Sequence, residues 1–390
     1  MRRRSPSCVP CARPSAWNDL LLPLLSASRQ LPDPEERPDP MRAAVYHGRR
    51  DVRVQEWTDP PPPAPHEIQL EILRASICGT DADEFASGPH LIPLTAPHPV
   101  SGHDGPLVLG HEMVGRVVDI GAEVTEFTAG DVVVPGSGVS CGTCRWCRAG
   151  RTNLCAAYYT VGLHVDGGLA ERVNVPARIS RSVGGCPADI AIMAQPLAVG
   201  LHAVRGAGAE PGMRVAVIGL GGIGSLAVAA CTAWGIETIG VDVSAARLRI
   251  AEQSGCSLLV DASRKDAASA IRQATGGDGA DIVIETSGVP QGLRTAMDAV
   301  SRGGHIRLVG LHRDPSALNL TRLVLDEIRM STSKVHICDQ DLPAALALLH
   351  SHPEIAVTAI DSVIGLEEVV SAGLMRMAAG EAAGKVVIKP

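Results

Sequence analysis

The chain has 390 residues, 45% of them hydrophobic and 20% charged, with a net charge of −7. That composition suits about two packed domains of roughly 100–200 residues and excludes a disordered chain. With no basic excess and only four Trp, three Tyr and two Phe, the chain lacks the phosphate-neutralising charge and stacking groups of a nucleic-acid binder. The core must be built from aliphatic residues, alanine and glycine.

Residues 1–40 differ from the rest, with Arg2–Arg4, several prolines and a leucine run over 20–25 broken by Pro23. The run is short and Asp19 precedes it, which argues against a secretion signal. A disordered extension is predicted here, and Cys8 and Cys11 form an isolated C-x2-C that makes a poor metal site. Strand patterns follow at 41–46, 51–56 and 67–75, the last with Ile68, Leu70 and Ile72 on one face. Pro60–Pro63 stiffens the link between the last two. Further strands are predicted at 113–120 and 132–134.

After Pro187 the pattern turns helical and then alternates. Strands are predicted at 214–219, 238–242, 258–260, 281–285 and 305–310. Helices are predicted between them at 222–234, 245–253, 267–275 and 292–300. That alternation means right-handed crossovers and a parallel sheet. A helix at 342–350 and a strand at 385–388 complete the chain. The uncharged stretch 215–236 is cut by Gly219, Gly221, Gly222 and Gly224, so it reads as strand, turn and helix rather than a membrane span.

Gly219-Leu220-Gly221-Gly222-Ile223-Gly224 is a G-x-G-x-x-G between an apolar strand and an apolar helix. Asp242 ends the next strand, 21 residues after Gly221. In that context the motif is a dinucleotide fingerprint. The first glycine permits the turn, the second admits the pyrophosphate, and the third lets helix and strand pack. Asp242 can accept from both ribose hydroxyls and would repel a 2′-phosphate, which favours NAD. Arg247 is expected over the adenine.

Five of the eleven cysteines fall between residues 78 and 155. Cys141-x2-Cys144-x2-Cys147-x7-Cys155 can close a tetrahedron around Zn²⁺ with no open position, a structural site. Arg145, Arg148 and Arg151 are expected to offset its roughly −2 charge. The uneven spread and odd count point to metal binding in a reducing compartment, hence a cytoplasmic protein. Cys78, His111 and Glu112 offer a second, mixed ligand set suited to a catalytic zinc. From spacing alone, a His beside a Glu such as His111–Glu112 is more often an ordinary surface or core pair.

Together these motifs resemble the zinc-dependent medium-chain dehydrogenase/reductase family, most of all its polyol branch of butanediol and sorbitol dehydrogenases. The resemblance runs from about Met41 to Pro390. Cys78-Gly79-Thr80-Asp81 looks like the first zinc-ligand motif, and 88–112, ending in Gly110-His111-Glu112, like the butanediol-dehydrogenase loop. Pro196–Val199 and Leu201–Arg205 look like the hinge helix. The resemblance implies an α/β protein: a GroES-like β-barrel catalytic domain at 41–194 with the zinc lobe at about 140–156, a Rossmann doubly wound parallel-sheet domain at 195–335, and a return to the catalytic domain at 336–390.

It further implies two zinc ions per subunit, NAD, a small alcohol substrate, and a homodimer or homotetramer with neither nucleic acid nor membrane as partner. Cys78, His111 and Glu112 become catalytic-zinc ligands, Thr80 the start of a proton relay, and Asp81 the residue that orients His111. The sequence departs twice from the family pattern. Gln195 replaces the usual Glu before Pro-Leu, though its amide oxygen can still ligate zinc. Asp83 stands where relatives carry a relay histidine, so Asp83, water or another histidine takes the proton. A vicinal diol or polyol is the expected substrate. Sugar and threonine dehydrogenases are the rivals, and an inactive NAD- or zinc-binding protein is the alternative of another class.

Overall fold

A computed structural model describes residues 40–390 apart from 314. The expected extension and its Cys8-x2-Cys11 therefore lie outside the described residues, Pro40 excepted. Strands β1 (Met41–Gly48) and β2 (Asp51–Trp57) pair antiparallel as a hairpin. β3 (Glu67–Ile77) buries Ile68, Leu70 and Ile72, the face its alternation marks. Helix α1 (Gly79–Ser87) follows directly; the Asp81 carboxylate accepts the Cys78 N–H at 2.8 Å and closes its first turn.

Short strands complete the first region: β4 (Leu107–Val108), β5 (Glu112–Ile120), β6 (Val132–Pro135) and β7 (Gly138–Val139). A lobe with the one-turn helix α2 (Arg145–Arg148) precedes β8 (Tyr159–Thr160), β9 (Arg172–Pro176) and β10 (Ser180–Ser182). One sheet has the order β2-β1-β4, and a second runs β10-β6-β5-β3 before taking in two strands from the far end of the chain.

Helices α3 (Ala188–Ala191) and α4 (Ala194–Ala207) lead out of this region. Gly208 ends α4 in the left-handed conformation, φ +72°, that glycine adopts without cost. Among the described residues, 188–207 is the one helical stretch long and apolar enough to cross a membrane, and it is mostly buried within the fold, as a core helix is.

The alternating segment is β11 (Arg214–Ile218), α5 (Gly222–Ala233), β12 (Glu237–Asp242), α6 (Ala245–Gln253), β13 (Leu258–Asp261), α7 (Ala267–Ala274), β14 (Ala280–Glu285), α8 (Pro290–Ala299), β15 (Val300–Leu308), α9 (Leu320–Leu325) and β16 (Arg329–Thr332). Its sheet has the order β13-β12-β11-β14-β15-β16 and every pair is parallel. On β11, Val215 and Val217 pack into one helical layer, Ala216 and Ile218 into the other. Both faces are covered, so the strand reads as a continuous apolar run. β15 begins five residues before the predicted start: its pairing with β14 shifts register between Val300 and His305, a stretch that holds Gly303-Gly304 and in sequence looks like a turn.

α10 (Cys338–Ser351), α11 (Glu354–Ala359), β17 (Ile360–Gly365), α12 (Met375–Ala378) and β18 (Lys385–Lys389) bring the chain back. β18 inserts between β3 and β17, antiparallel to the first and parallel to the second. α10 is tied to α4 by Asp341, which takes His202 Nδ1 at 2.9 Å and Arg205 Nη1 at 3.0 Å. Neither β16 nor β17 was expected, because neither shows a buried alternating face.

Candidate active site

The turn after β11 is shaped by its glycines. Gly219 has φ +87°, and a Cβ there would lie 2.8 Å from Ser287 N. A Cβ on Gly224 would sit 1.9 Å from Gly219 O, so only glycine lets α5 pack this closely on the strand. A Cβ on Gly221 would meet nothing within 4 Å, because that position opens on a cleft of about 500 Å³. The N-terminus of α5 thus faces open space with free backbone N–H groups, the arrangement that holds a pyrophosphate. Ile223 and Gly222 line the same cleft.

Asp242, at the end of β12, is buried. One carboxylate oxygen takes Leu220 N at 2.7 Å and the other Ser244 N at 2.8 Å. Each oxygen keeps a lone pair free. Arg247 in the first turn of α6 lines the cleft, 4.0 Å from Asp242, with a guanidinium N–H toward Ala382 O at 3.5 Å.

Strand register builds the other wall. β3 pairs with β5 so that Ser76 faces Glu112, and with β18 so that Ile77 faces Val386. The residues at these strand ends, Cys78, His111–Glu112 and Lys385, are thereby brought to one place. Gly110, at φ +97° and tight against Leu169, turns the chain into β5 just ahead of them. One ligand atom each from Cys78, His111 and Glu112 lies within 4.8 Å of the others.

His111 and Glu112 are buried, and Asp81 is fully so. His111 Nδ1 lies 3.5 Å from Asp81 Oδ1, which has no hydrogen-bond partner among the described residues. Burial opposes a charged imidazole, yet the Asp81 carboxylate and the Cys78 sulfur push His111 well above its ordinary pKa. A field that holds a proton on a buried ring is one that also suits a cation. Thr80 Oγ1 is 3.8 Å from Cys78 Sγ on the cleft wall.

Two groups that the sequence reading missed complete this wall. Glu112 already has partners on both oxygens: the Ser76 hydroxyl donates to one and the Lys385 ammonium to the other. Lys385 is buried, its Cε 3.0 Å from where a Gly222 Cβ would stand, so it touches the dinucleotide turn as well. Burial works against its charge, but Glu112 and Cys78 more than offset this and its pKa is raised. A lysine opening an otherwise apolar strand was the available signal.

Gln195 is buried on α4, which packs on β5 and β6, and its amide N–H donates to Ser137 Oγ at 3.2 Å. Asp83 is half-buried on the cleft wall. Its Oδ2 takes two N–H groups of Arg313 and its Oδ1 the Ser87 hydroxyl at 2.9 Å. Burial would raise its pKa; Arg313 and Ser87 outweigh that and hold it low, so Asp83 stays ionised.

The cysteine lobe stands apart. The sulfurs of Cys141, Cys144, Cys147 and Cys155 lie within 4.8 Å of one another, with Cys141–Cys147 at 4.0 Å and Cys144–Cys147 at 3.6 Å. Zinc–sulfur bonds of about 2.3 Å set tetrahedral sulfurs about 3.8 Å apart, so this spacing fits the ion and excludes a disulfide. Backbone N–H groups of Cys141 and Ala157 reach Cys155 Sγ at 3.2 and 3.3 Å, and that of Cys144 reaches Cys141 Sγ at 3.3 Å. Backbone donors together with the Thr143 hydroxyl push the Cys141 thiol down to about 6. Arg145 and Arg151 stack on Trp146, 4.5 and 5.4 Å from its centroid.

A parallel sheet with a pyrophosphate cradle, facing a buried Cys-His-Glu cluster across one cleft, defines a metal- and dinucleotide-dependent oxidoreductase. Residues 64–183 match the alcohol dehydrogenase GroES-like domain, and residues 222–351 the zinc-binding dehydrogenase domain. A sorbitol dehydrogenase of Bacillus subtilis is 32% identical over 70% of this chain and 76% of its own. An L-threonine 3-dehydrogenase of Bacillus licheniformis is 33% identical over 66% and 72%. The crystal structure of 2R,3R-butanediol dehydrogenase from Bacillus subtilis superposes with a TM-score of 0.83 at 27% identity, covering 90% of this chain and 99% of that one. The chain belongs to the zinc-type medium-chain alcohol dehydrogenases, oxidoreductases acting on CH–OH groups.

Proposed function

We propose that this protein oxidises a secondary hydroxyl of a vicinal diol or polyol with NAD and carries two zinc ions per subunit. The reading rests on one observation: Cys78, whose sulfur clusters with His111 and Glu112, lines the same cleft as the glycine turn. Cys78, His111, Glu112 and the Gln195 amide oxygen would hold the catalytic zinc, and Cys141, Cys144, Cys147 and Cys155 the structural one. Bound zinc supplies Lewis-acid activation of the hydroxyl. Asp81 keeps the His111 ring in place, and Thr80 accepts the hydroxyl proton and passes it outward. Asp83, held ionised by Arg313, is a weak base, so the proton leaves to solvent.

Asp242, with one lone pair free on each oxygen, takes the two ribose hydroxyls, and Arg247 lies beside the adenine. We take 41–194 and 336–390 as the catalytic part and 195–335 as the dinucleotide part. The described cysteines are all free, which suits a reducing, cytoplasmic setting. The 33% match to a threonine dehydrogenase makes threonine the second reading. NADH absorbance with butane-2,3-diol, sorbitol, glucose and threonine tests both, and a protein that oxidises none of them overturns the proposal. Equal kcat/KM for NAD and NADP would remove Asp242 from its role, and Asp242→Ser should narrow the preference for NAD.

A further inference from the structure

Three cationic side chains bear on the cleft, and each has an acid beside it. Arg247 has Asp242, Lys385 has Glu112, and Arg313 has Asp83. The first two pairs serve the dinucleotide end and the floor. The third spans the rim at the alcohol end. Asp83 comes three residues after Thr80 on α1, so the two share a helix face, and both line the cleft.

Arg313 arrives from the opposite wall on a firmly held loop. Val309 N and Gly310 N donate to Glu285 O at 2.8 and 3.0 Å, and His312 Nε2 pairs with Glu285 Oε2 at 2.9 Å. These anchors leave Leu311 69% exposed at the cleft and deliver the next cation to Asp83. Asp83 is the one acid paired with Arg313 among the described residues, and both side chains remain open to solvent, at 38% and 43% exposure. A substrate's far end can therefore meet them.

We infer that Asp83 is a specificity-determining residue: by neutralising Arg313 it keeps the alcohol end selective for uncharged hydroxyl compounds. Freed of Asp83, Arg313 would recognise the carboxylate or phosphate of an anionic alcohol. The inference rests on the dehydrogenase reading above. A guanidinium fork matches a carboxylate or phosphate two bonds at a time. Asp83 occupies that fork and also repels a second anion, so one side chain removes the attraction and supplies the repulsion. One unit charge a few Å away at a protein surface is worth about tenfold in affinity. The family resemblance leaves proton relay by Asp83 as one of three possibilities; the geometry points to charge balance at this position.

The test compares neutral and anionic alcohols on the holoenzyme: sorbitol against sorbitol 6-phosphate, and butane-2,3-diol against 2,3-dihydroxybutanoate. Each anion is read as substrate or, where it is not turned over, as competitive inhibitor. The anion-to-neutral ratio is internal to each preparation, so partial folding does not alter it. Asp83→Asn should shift the ratio about tenfold toward the anion. Arg313→Gln should shift it away, and the double variant should return to within about twofold of the parent. A ratio unmoved by Asp83→Asn, or a shift that survives in the double variant, overturns the inference alone. A parent enzyme that turns over none of the four compounds overturns the diol and polyol reading and this inference with it.

Discussion

The sulfurs of Cys141, Cys144, Cys147 and Cys155 come from fifteen consecutive residues of a surface lobe. Cys78, His111 and Glu112 come from two separate strand ends and meet where half-buried Cys78 lines a cleft, with His111 and Glu112 buried behind it. In the lobe all four donors are thiols, and backbone N–H groups reach two of them. In the cleft the donors are of three kinds, and the carboxylate is shared with Ser76 and Lys385. A closed set of like donors holds an ion and does nothing else; a mixed set with competing partners can change what it binds. The two clusters should therefore fail in different ways when altered.

Loss of one cleft ligand should have the largest effect. Cys78→Ala should cut turnover by about a thousandfold or more, since Lewis-acid activation is worth several kcal/mol. Its thermal midpoint should stay within a few degrees of the parent. Cys147→Ala should do the reverse, lowering the midpoint by roughly 5 °C or more at 2–4 °C per kcal/mol for a domain of this size. Measured at low temperature, the fraction that remains folded should keep its specific activity. If both variants lose activity alike while staying folded, the lobe is not merely structural.

Metal removal sharpens the same contrast. Under a chelator, activity should disappear as the first of two zinc equivalents leaves, while the thermal midpoint holds until the second goes. Metal analysis that returns a single equivalent in the intact protein would collapse the two clusters into one.

The lobe and the glycine turn were legible in sequence because each is a local pattern. Gly219, Gly221 and Gly224 each stand where their place in the motif requires, one in a left-handed turn, one on open space, one packed against backbone. The cleft cluster was legible only through resemblance, since nothing in the spacing of Cys78 and His111 says that β3 and β5 are neighbours. The partners of its carboxylates were not legible at all. Lys385 lies 273 residues from Glu112, and Arg313 lies 230 from Asp83. For Asp83 the resemblance leaves Asp83, water or another histidine as proton acceptor, and its pairing with Arg313 is a contact that no local pattern announces.

Gln195 carries the smallest expected effect. If its amide oxygen completes the cleft set, Gln195→Glu adds a negative charge there, and the pKa governing kcat should rise by about one unit. Zinc content should hold or increase. An unmoved pH profile with full zinc would assign Gln195 to packing against Ser137 and leave Cys78, His111 and Glu112 as the protein ligands.

β18 also constrains the order in which the protein can be made. β3 pairs with β5 and β9 as those strands form, but its end Ala75–Ile77 gains its β18 neighbour only when residues 385–389 exist, some three hundred positions after β3 itself is synthesised. Until then Glu112 lacks the Lys385 ammonium opposite it, and β3 has an unpaired edge over Ala75–Ile77. At synthesis rates of about 5–20 residues per second, that exposure lasts on the order of tens of seconds. The intervening parallel sheet can form meanwhile, since all of its strands, β11 to β16, precede β18 in the chain.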